Sequence, residues 1–192
     1  MKPINNYENV QAAGNIESLP AGGYVCEIKQ CKEVNNRNTP GTHLEIMFEV
    51  CEGDFRGFFE ADYRNQDRED KFWRGLINQN IPDESSPKYA QQCKFFKRFT
   101  NTVEDSNPGY HWDWNEAGLK GKRIGVLFGE KEKKSQRGTV YIITEAREIV
   151  PVDDIRAGRY KVPEKKTLAP EASYGGYGGF TPVADDDSDL PF

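Results

Sequence analysis

The sequence predicts a mainly β (α+β) domain followed by a long segment without regular structure. Two stretches in the first third of the chain, residues 23–34 and 43–50, alternate apolar and polar side chains, which is the period of a half-buried strand. The apolar side chains of residues 85–105 recur at helical spacing instead. From Lys161 onward, proline, glycine, serine and charged residues replace both patterns, a composition typical of linkers and disordered tails.

Three predicted strands come first, at residues 23–34, 43–50 and 56–63. In the second strand the alternation is clearest, and one of its faces is formed by Leu44, Ile46, Phe48 and Val50. In the third strand one row is formed by Phe59, Ala61 and Tyr63. Residues 35–42 and 52–55 are rich in turn formers, so we expect these three strands to form a meander.

A helical insert, residues 65–110, follows the third predicted strand. Residues 67–80 place Phe72, Trp73, Leu76 and Ile77 on one helical face. Residues 85–105 form a second helical segment, which Ser86 can cap and in which Pro87 suits the first turn. Two helices, or one helix broken by prolines, both fit this pattern.

Two further strands, residues 122–130 and 139–152, enclose a charged loop. Three strands, a helical insert and a closing hairpin follow the order of a five-stranded OB-like barrel with a helical insert between strands 3 and 4. A different small barrel and a helix-backed antiparallel sheet are the alternatives. The predicted organisation is an N-terminal arm (1–22), an OB-like domain (23–160) and a flexible glycine-rich linker with a disordered acidic C-terminal tail (161–192).

Composition and motifs favour a cytoplasmic protein without catalysis. No run approaches the roughly 20 apolar residues of a membrane-spanning helix, and the first residues lack the apolar core of a secretion signal. The four cysteines contain no CxxC pair and the two histidines lie away from them, which favours buried reduced thiols over a zinc site. Nucleotide-binding, zinc-protease and nucleophile motifs are missing, so we predict no enzyme activity, no cofactor and no metal. A metal-dependent nuclease is the catalytic alternative, although no spaced carboxylate pair marks one.

Basic residues cluster in two predicted loops and at the start of the fourth strand. In an OB barrel, the loops between strands 1 and 2 and between strands 4 and 5 flank one binding face, where cations neutralise phosphates and aromatic rings stack on bases. The candidate nucleic-acid-binding residues are Lys32, Arg37, Phe58, Lys122, Arg123, Lys131, Lys133, Lys134, Arg137 and Tyr141. Because Glu130 and Glu132 dilute the charge of the second loop, an ordinary solvated hairpin tip is the alternative.

Two other groups have a structural interpretation in the sequence. Trp112 and Trp114 could stack on bases, but tryptophans two positions apart beside a strand are more typical of packed side chains. Lys94, Lys97 and Arg98 fit the solvent-exposed face of the second helix.

The last residues of the sequence, "DDDSDLPF", predict a ligand for another protein. Residues 165–192 carry two basic and five acidic side chains, whereas residues 1–164 carry 24 basic and 26 acidic ones. Such a segment holds too little apolar surface to fold alone, but its apolar tip can enter a pocket while the aspartates steer it to a basic rim. The predicted partner-binding residues are Asp185, Asp186, Asp187, Asp189, Leu190, Pro191 and Phe192. A merely solubilising acidic end would explain the aspartates but not the Leu-Pro-Phe sequence.

This tip resembles the acidic C-terminal tip of bacterial single-stranded-DNA-binding proteins, and "YGGYGGFTP" resembles their glycine-rich linker. The preceding sequence is similar to phage and prophage proteins thought to bind single-stranded DNA. The similar segments are "AGGYVCEI", "LEIMFEVCEGDFRG" and "KFFKRF". The insert at residues 65–110 departs from that family, so its oligomer geometry cannot be transferred.

The resemblance implies sequence-tolerant binding that protects single-stranded DNA during replication or recombination in the cytoplasm of a bacterial host. It further implies that the tip recruits replication and recombination proteins, that the acidic tail can compete with DNA for the basic groove, and that a homo-oligomer is possible. The alternative function is a non-catalytic protein-interaction adaptor or phage inhibitor, in which the tip acts and the basic loops are ordinary surface.

Overall fold

Five strands form one antiparallel sheet in the computed structural model, which describes residues 18–37 and 39–168. The strands are β1 (Gly22–Asn35), β2 (Thr42–Val50), β3 (Leu76–Asn80), β4 (Arg123–Lys134) and β5 (Val140–Val150). They lie side by side in the order β3-β2-β1-β4-β5. The prediction of a mainly β fold with five strands is therefore confirmed.

Three α-helices and one short 3-10 helix complete the described structure. They are α1 (Phe58–Asn65), α2 (Tyr89–Ser106), the 3-10 helix Glu116–Leu119 and α3 (Val152–Arg156). The second predicted helix is confirmed as α2, which buries Phe96, Phe99 and Val103. Within the described ranges, none of the helices is long and apolar enough to span a lipid bilayer.

The prediction of a third strand at residues 56–63 is wrong, because α1 begins at Phe58 and includes the rest of this segment. The cause is the buried side chain of Glu49 at the end of β2. Its carboxylate accepts backbone N–H groups from Val50 at 2.8 Å, Phe59 at 3.0 Å and Glu60 at 2.6 Å. The two N–H groups of Phe59 and Glu60 belong to the first turn of α1 and would otherwise lack an acceptor. Alternation at Phe59, Ala61 and Tyr63 did not reveal this long-range cap.

The prediction of a helix at residues 67–80 is also wrong, because the third strand lies there. Leu76–Asn80 pairs with β2, with Leu76 opposite Met47 and Asn80 opposite His43. The approach to this strand is fixed at Phe48, whose carbonyl accepts the Trp73 indole N–H at 2.9 Å and whose N–H bonds to the Gly75 carbonyl at 2.9 Å. A Cβ at Gly75 would lie 2.4 Å from the Phe48 carbonyl oxygen, so this close pairing requires glycine.

The sheet is not closed into a barrel, so the OB-like form of the prediction is not confirmed. β3 and β5 are its two edge strands, and no ladder joins them within the described residues. Helix α2 lies across the space between these edges and contacts both. Arg98 of α2 forms an ion pair with Glu148 of β5, beside a small cavity of about 160 Å³.

The hydrophobic core lies between one face of the sheet and the helices. Phe48 is fully buried and packs edge-on against Phe59 and Phe128, with ring centroids 5.6 and 6.0 Å apart. The other largest fully buried side chains are Ile28, Ile46, Leu119, Ile124, Val50, Val103 and Val126. Burying each large apolar side chain stabilises the fold by about 1.5–3 kcal/mol.

The opposite face of β1 and β4 is covered by the chain that follows β5. Gly23 and Gly125 let this segment approach closely: a Cβ at Gly23 would lie 2.6 Å from Ile155 Cδ1, and one at Gly125 would lie 2.7 Å from Ile155 Cγ1. Pro163 lies against Gly129, where a Cβ would be 3.0 Å from the proline Cβ. The segment therefore runs along β4 toward the hairpin that β4 forms with β5.

Candidate nucleic-acid interface

The β4–β5 hairpin extends past the pairing between β1 and β4. That pairing ends where Gly22 lies opposite Phe128, while the β4–β5 ladder continues to the pair Lys134 and Val140. Residues 129–145 therefore form an extension that carries four of the candidate cations, and we call it the cationic hairpin. Gly138 has a φ of 86°, a left-handed conformation that a turn of this kind requires and that glycine adopts without strain.

One face of the cationic hairpin combines positive charge with an aromatic ring. Lys131 lies opposite Ile143 and Lys133 opposite Tyr141, so these side chains share a face. Tyr141 is 46% exposed, as stacking on a base would require. The Lys131 ammonium lies 3.2 Å from a carboxylate oxygen of Glu145, which partly neutralises it.

The other face of this hairpin carries two exposed aliphatic side chains among charged ones. Val140 and Ile142 are both about half exposed and follow the same alternation as Lys134. Arg137 lies exposed in the turn itself. The hairpin therefore presents aliphatic surface beside its charges.

The segment after α3 adds two lysines to the cationic hairpin. Lys166 forms a parallel bridge with Lys131: its N–H donates to the Glu130 carbonyl at 3.0 Å, and its carbonyl accepts from Glu132 N–H at 2.9 Å. Lys165 forms a 2.8 Å ion pair with Glu132, and the resulting hydrogen bond lowers the pKa of the Glu132 carboxyl. Sequence reasoning missed both lysines because a single bridge leaves no periodic signal, and because the composition of this region is that of a linker.

Lys32 and Arg37 lie at the end of β1 and in the turn that follows. Lys32 is exposed and lies opposite Glu45 of β2, and Arg37 is exposed in the turn. His43, on the other side of this turn, bonds to the Asn36 side chain at 2.7 Å. These two cations are therefore accessible, but Lys32 has an acidic neighbour across the ladder.

Lys122 and Arg123 line an open cleft of about 750 Å³ between the end of α2 and the start of β4. Its other lining residues include Asn107, Tyr110, His111, Asp113 and Arg156; we call it the Arg123 cleft. The Lys122 ammonium lies 4.5 Å from the centre of the Tyr110 ring, a cation–π contact.

Glu52 neutralises part of the charge of the Arg123 cleft. One of its carboxylate oxygens lies 3.2 Å from the Arg123 guanidinium and 2.6 Å from that of Arg156. The hydrogen bond from Arg156 is the main cause that lowers the pKa of Glu52. The cleft therefore holds two arginines on one carboxylate, with Lys122 beside them.

Phe58, the predicted aromatic contact of the third strand, lies in α1 instead. It is half buried and packs edge-on against Phe55 and Phe59 at centroid distances of 6.3 and 5.3 Å. This position gives Phe58 a packing role around the core.

The two tryptophans of the loop between α2 and β4 differ from each other. Trp112 is half buried against the core, whereas Trp114 is 78% exposed. Within the described residues, Trp114 is the one non-glycine residue with a positive φ, 63°. This conformation costs about 1–2 kcal/mol in a residue with a Cβ.

The structure separates the candidate cations into three groups rather than one groove. The turn after β1 and the cationic hairpin extend from opposite ends of β1, because β1 and β4 are antiparallel. The third group, Lys122 and Arg123, lies between these two. The Lys122 carbonyl accepts the Ile28 backbone N–H at 2.9 Å, which places this group next to the middle of β1. The groups could contact successive parts of one extended strand, but not one compact ligand.

The predicted partner-binding residues 185–192 and most of the N-terminal arm lie outside the described residues. The last described residue is Leu168, whose N–H donates to Glu132 of the cationic hairpin at 3.3 Å. Residues 169–192, which include the acidic tip, therefore follow in sequence from a point beside this hairpin. In residues 18–37 and 39–168, no three His, Cys, Asp or Glu side chains are grouped as metal ligands would be.

Comparison of the sequence with protein-family models and with curated proteins gives no match.

Proposed function

We propose that this chain binds single-stranded DNA without sequence preference and without catalysis, in the cytoplasm of a bacterial host. The observation that carries the proposal is the cationic hairpin, which extends from the sheet with Lys131, Lys133 and Arg137 beside the exposed Tyr141. Lysines and arginines that neutralise phosphates supply most of the affinity for a nucleic acid, and exposed rings accept bases of any identity.

The strand order supports an OB-like relationship. Joining β3 to β5 would close the sheet into a five-stranded barrel, and the OB fold is a barrel of this size that is often partly open. The edges of β3 and β5 already contact each other, and α2 lies where a helix between strands 3 and 4 is expected. In that fold, the loop between strands 4 and 5 is one of the two that hold an oligonucleotide.

The acidic tip extends this proposal to other proteins. Leu190 and Phe192 would enter an apolar pocket of replication or recombination proteins, and Asp185–Asp189 would meet its basic rim. Strand protection and recruitment would then be carried by separate parts of one chain.

The experiment that tests the proposal compares two fourfold variants. In the first, Lys131, Lys133, Lys134 and Arg137 are changed to alanine; in the matched control, Arg56, Arg64, Arg68 and Lys88 are changed, all of them exposed. Fluorescence anisotropy measures the affinity for a labelled oligo-dT longer than about 16 nucleotides, the upper site size of one OB fold. We expect a loss of affinity in the hairpin variant alone, and equal losses in both variants would contradict the proposal.

The half-exposed Val140 and Ile142 favour a second function, that of a protein-interaction adaptor. In that case the unmodified protein would not shift oligo-dT at about 50 mM salt, where electrostatic binding is strong. Replacing Val140 and Ile142 by serine would then abolish capture of a partner protein while leaving the fold intact.

A further inference from the structure

Trp114 is held at the surface in a conformation that its own chemistry disfavours. Its side chain is 78% exposed although burial of an indole is strongly favourable, and its φ of 63° is one that residues with a Cβ rarely adopt. Strained backbone of this kind concentrates at functional sites, where the surrounding structure maintains it.

The surrounding residues fix the ring rather than leave it loose. The Trp114 indole lies nearly parallel to the Phe96 ring, at 13° and a centroid distance of 6.2 Å. Asn115, the next residue, donates its N–H to the Asp113 side chain at 3.2 Å and accepts the Ala117 N–H at 3.1 Å. Phe96 itself is buried in α2, so it gives the margin of the indole a fixed neighbour.

Most of the indole surface of Trp114 is open. Parallel rings whose centroids lie 6.2 Å apart overlap only at their margins, so Phe96 leaves Trp114 78% exposed. A flat, exposed ring that is fixed at one margin can stack on an unpaired base.

Cations lie near Trp114 on both sides of its loop. Asp113, the preceding residue, lines the Arg123 cleft together with Lys122. On the other side, the Glu104 carboxylate of α2 accepts the backbone N–H of Trp112 at 2.8 Å. The loop therefore lies on the side of the helix that carries Glu104. Lys97 lies two turns earlier on that same side and is exposed.

We propose that Trp114 is a stacking platform for an unpaired base, held at one margin by Phe96, with Lys122 and Lys97 near its loop for the adjoining phosphates. The inference rests on the proposed function and adds a contact outside the predicted binding loops.

The test uses Trp114→Ala, Trp114→Phe and the control Phe72→Ala, which removes another aromatic side chain exposed to about half. Each full-length protein is titrated with labelled oligo-dT and with an abasic oligonucleotide of the same length. For oligo-dT we expect Trp114→Ala to lose about 5- to 100-fold in affinity, Trp114→Phe to lose less, and Phe72→Ala to keep its affinity. On the abasic strand the difference between the unmodified protein and Trp114→Ala should vanish, because there is no base to stack.

Intrinsic fluorescence provides an independent readout, since the chain has three tryptophans. Oligo-dT should quench the unmodified protein and quench Trp114→Phe much less. Circular dichroism and thermal melting verify that each variant is folded.

If the unmodified protein binds oligo-dT and Trp114→Ala binds it equally well, the platform is refuted while the proposed function stands. If the unmodified protein does not bind, the proposed function itself fails. A changed sedimentation coefficient of Trp114→Ala with unchanged DNA affinity would instead assign the ring to a protein contact and also overturn the inference.

Discussion

Lys166 forms a parallel bridge with Lys131, so the chain that follows β5 returns to the cationic hairpin and adds positive charge to it. The bridge uses the side of β4 that β1 leaves free beyond Phe128. As a consequence, the described part of the chain ends beside the hairpin, at Leu168.

Replacing Lys165 and Lys166 by alanine is expected to weaken oligo-dT binding, because both lysines lie on the cationic hairpin. The plot of log affinity against log salt should become less steep by about 0.7 for each lysine that contacts a phosphate. Anisotropy titrations at several salt concentrations measure this slope. Lys29→Ala combined with Lys161→Ala is the matched control, and an equal change of slope in that control would contradict the assignment.

Gly23→Ala is expected to displace the segment that covers β1 and β4. Its new Cβ would lie 2.6 Å from Ile155 and 2.8 Å from Tyr160, and overpacking of this kind costs about 1–3 kcal/mol. Urea denaturation should show this loss of stability, and trypsin should cleave faster after Lys161 and Lys165. Gly118→Ala is the control, because its Cβ would meet nothing closer than 3.8 Å. Unchanged cleavage in Gly23→Ala would mean that the glycine does not hold this segment.

Glu52→Gln is expected to tighten DNA binding, because it releases Arg123 and Arg156 from their shared carboxylate.

The contribution of Glu52 to the free energy of unfolding is expected to depend on pH. The folded pKa of Glu52 is lowered below its ordinary value of 4.5, so its stabilisation is complete above that value and is lost as the pH falls through the lowered pKa. Since Glu52 is about one-third exposed, the loss should be below about 1 kcal/mol. Urea melts of both proteins at neutral and acidic pH measure it, and equal acid sensitivity would exclude Glu52 as the cause.

Deleting residues 181–192 is expected to tighten oligo-dT binding at low salt and to have little effect at high salt. This segment holds the Asp185–Asp189 charges, and the chain leaves the described structure at Leu168 on the cationic hairpin. Salt screens the attraction between an acidic arm and the lysines of the hairpin, as it screens the attraction between DNA and those lysines. A variant in which the four aspartates become asparagine should behave like the deletion. Identical affinities with and without the segment at low salt would rule out competition.

The sequence predicted the parts of the fold that depend on local patterning. Leu44, Ile46, Phe48 and Val50 are all buried, as the alternation of β2 required, and α2 follows its helical period. The two errors, at residues 56–63 and 67–80, both involve contacts distant in sequence. Glu49 caps α1 and Phe48 fixes the approach to β3, and no local pattern reports either contact.

The candidate site likewise combines features that local patterning predicts with features that depend on tertiary contacts. The charges of the β4–β5 loop are visible in the sequence because Lys131, Lys133, Lys134 and Arg137 are close together. The docking of Lys165 and Lys166 on that loop is a tertiary contact within a segment of linker composition. Likewise, the sequence alone does not show that Trp114 is exposed while Trp112 is half buried, because that difference depends on where α2 places Phe96.

The most direct test of the account is a salt titration of oligo-dT affinity with the unmodified full-length protein, with duplex DNA of the same length as competitor. We predict measurable binding at about 50 mM salt, a linear fall of log affinity with log salt, and weaker competition by the duplex than by unlabelled oligo-dT. Failure to bind oligo-dT at that salt concentration, or an affinity that does not respond to salt, would contradict the assignment of this chain to single-stranded DNA.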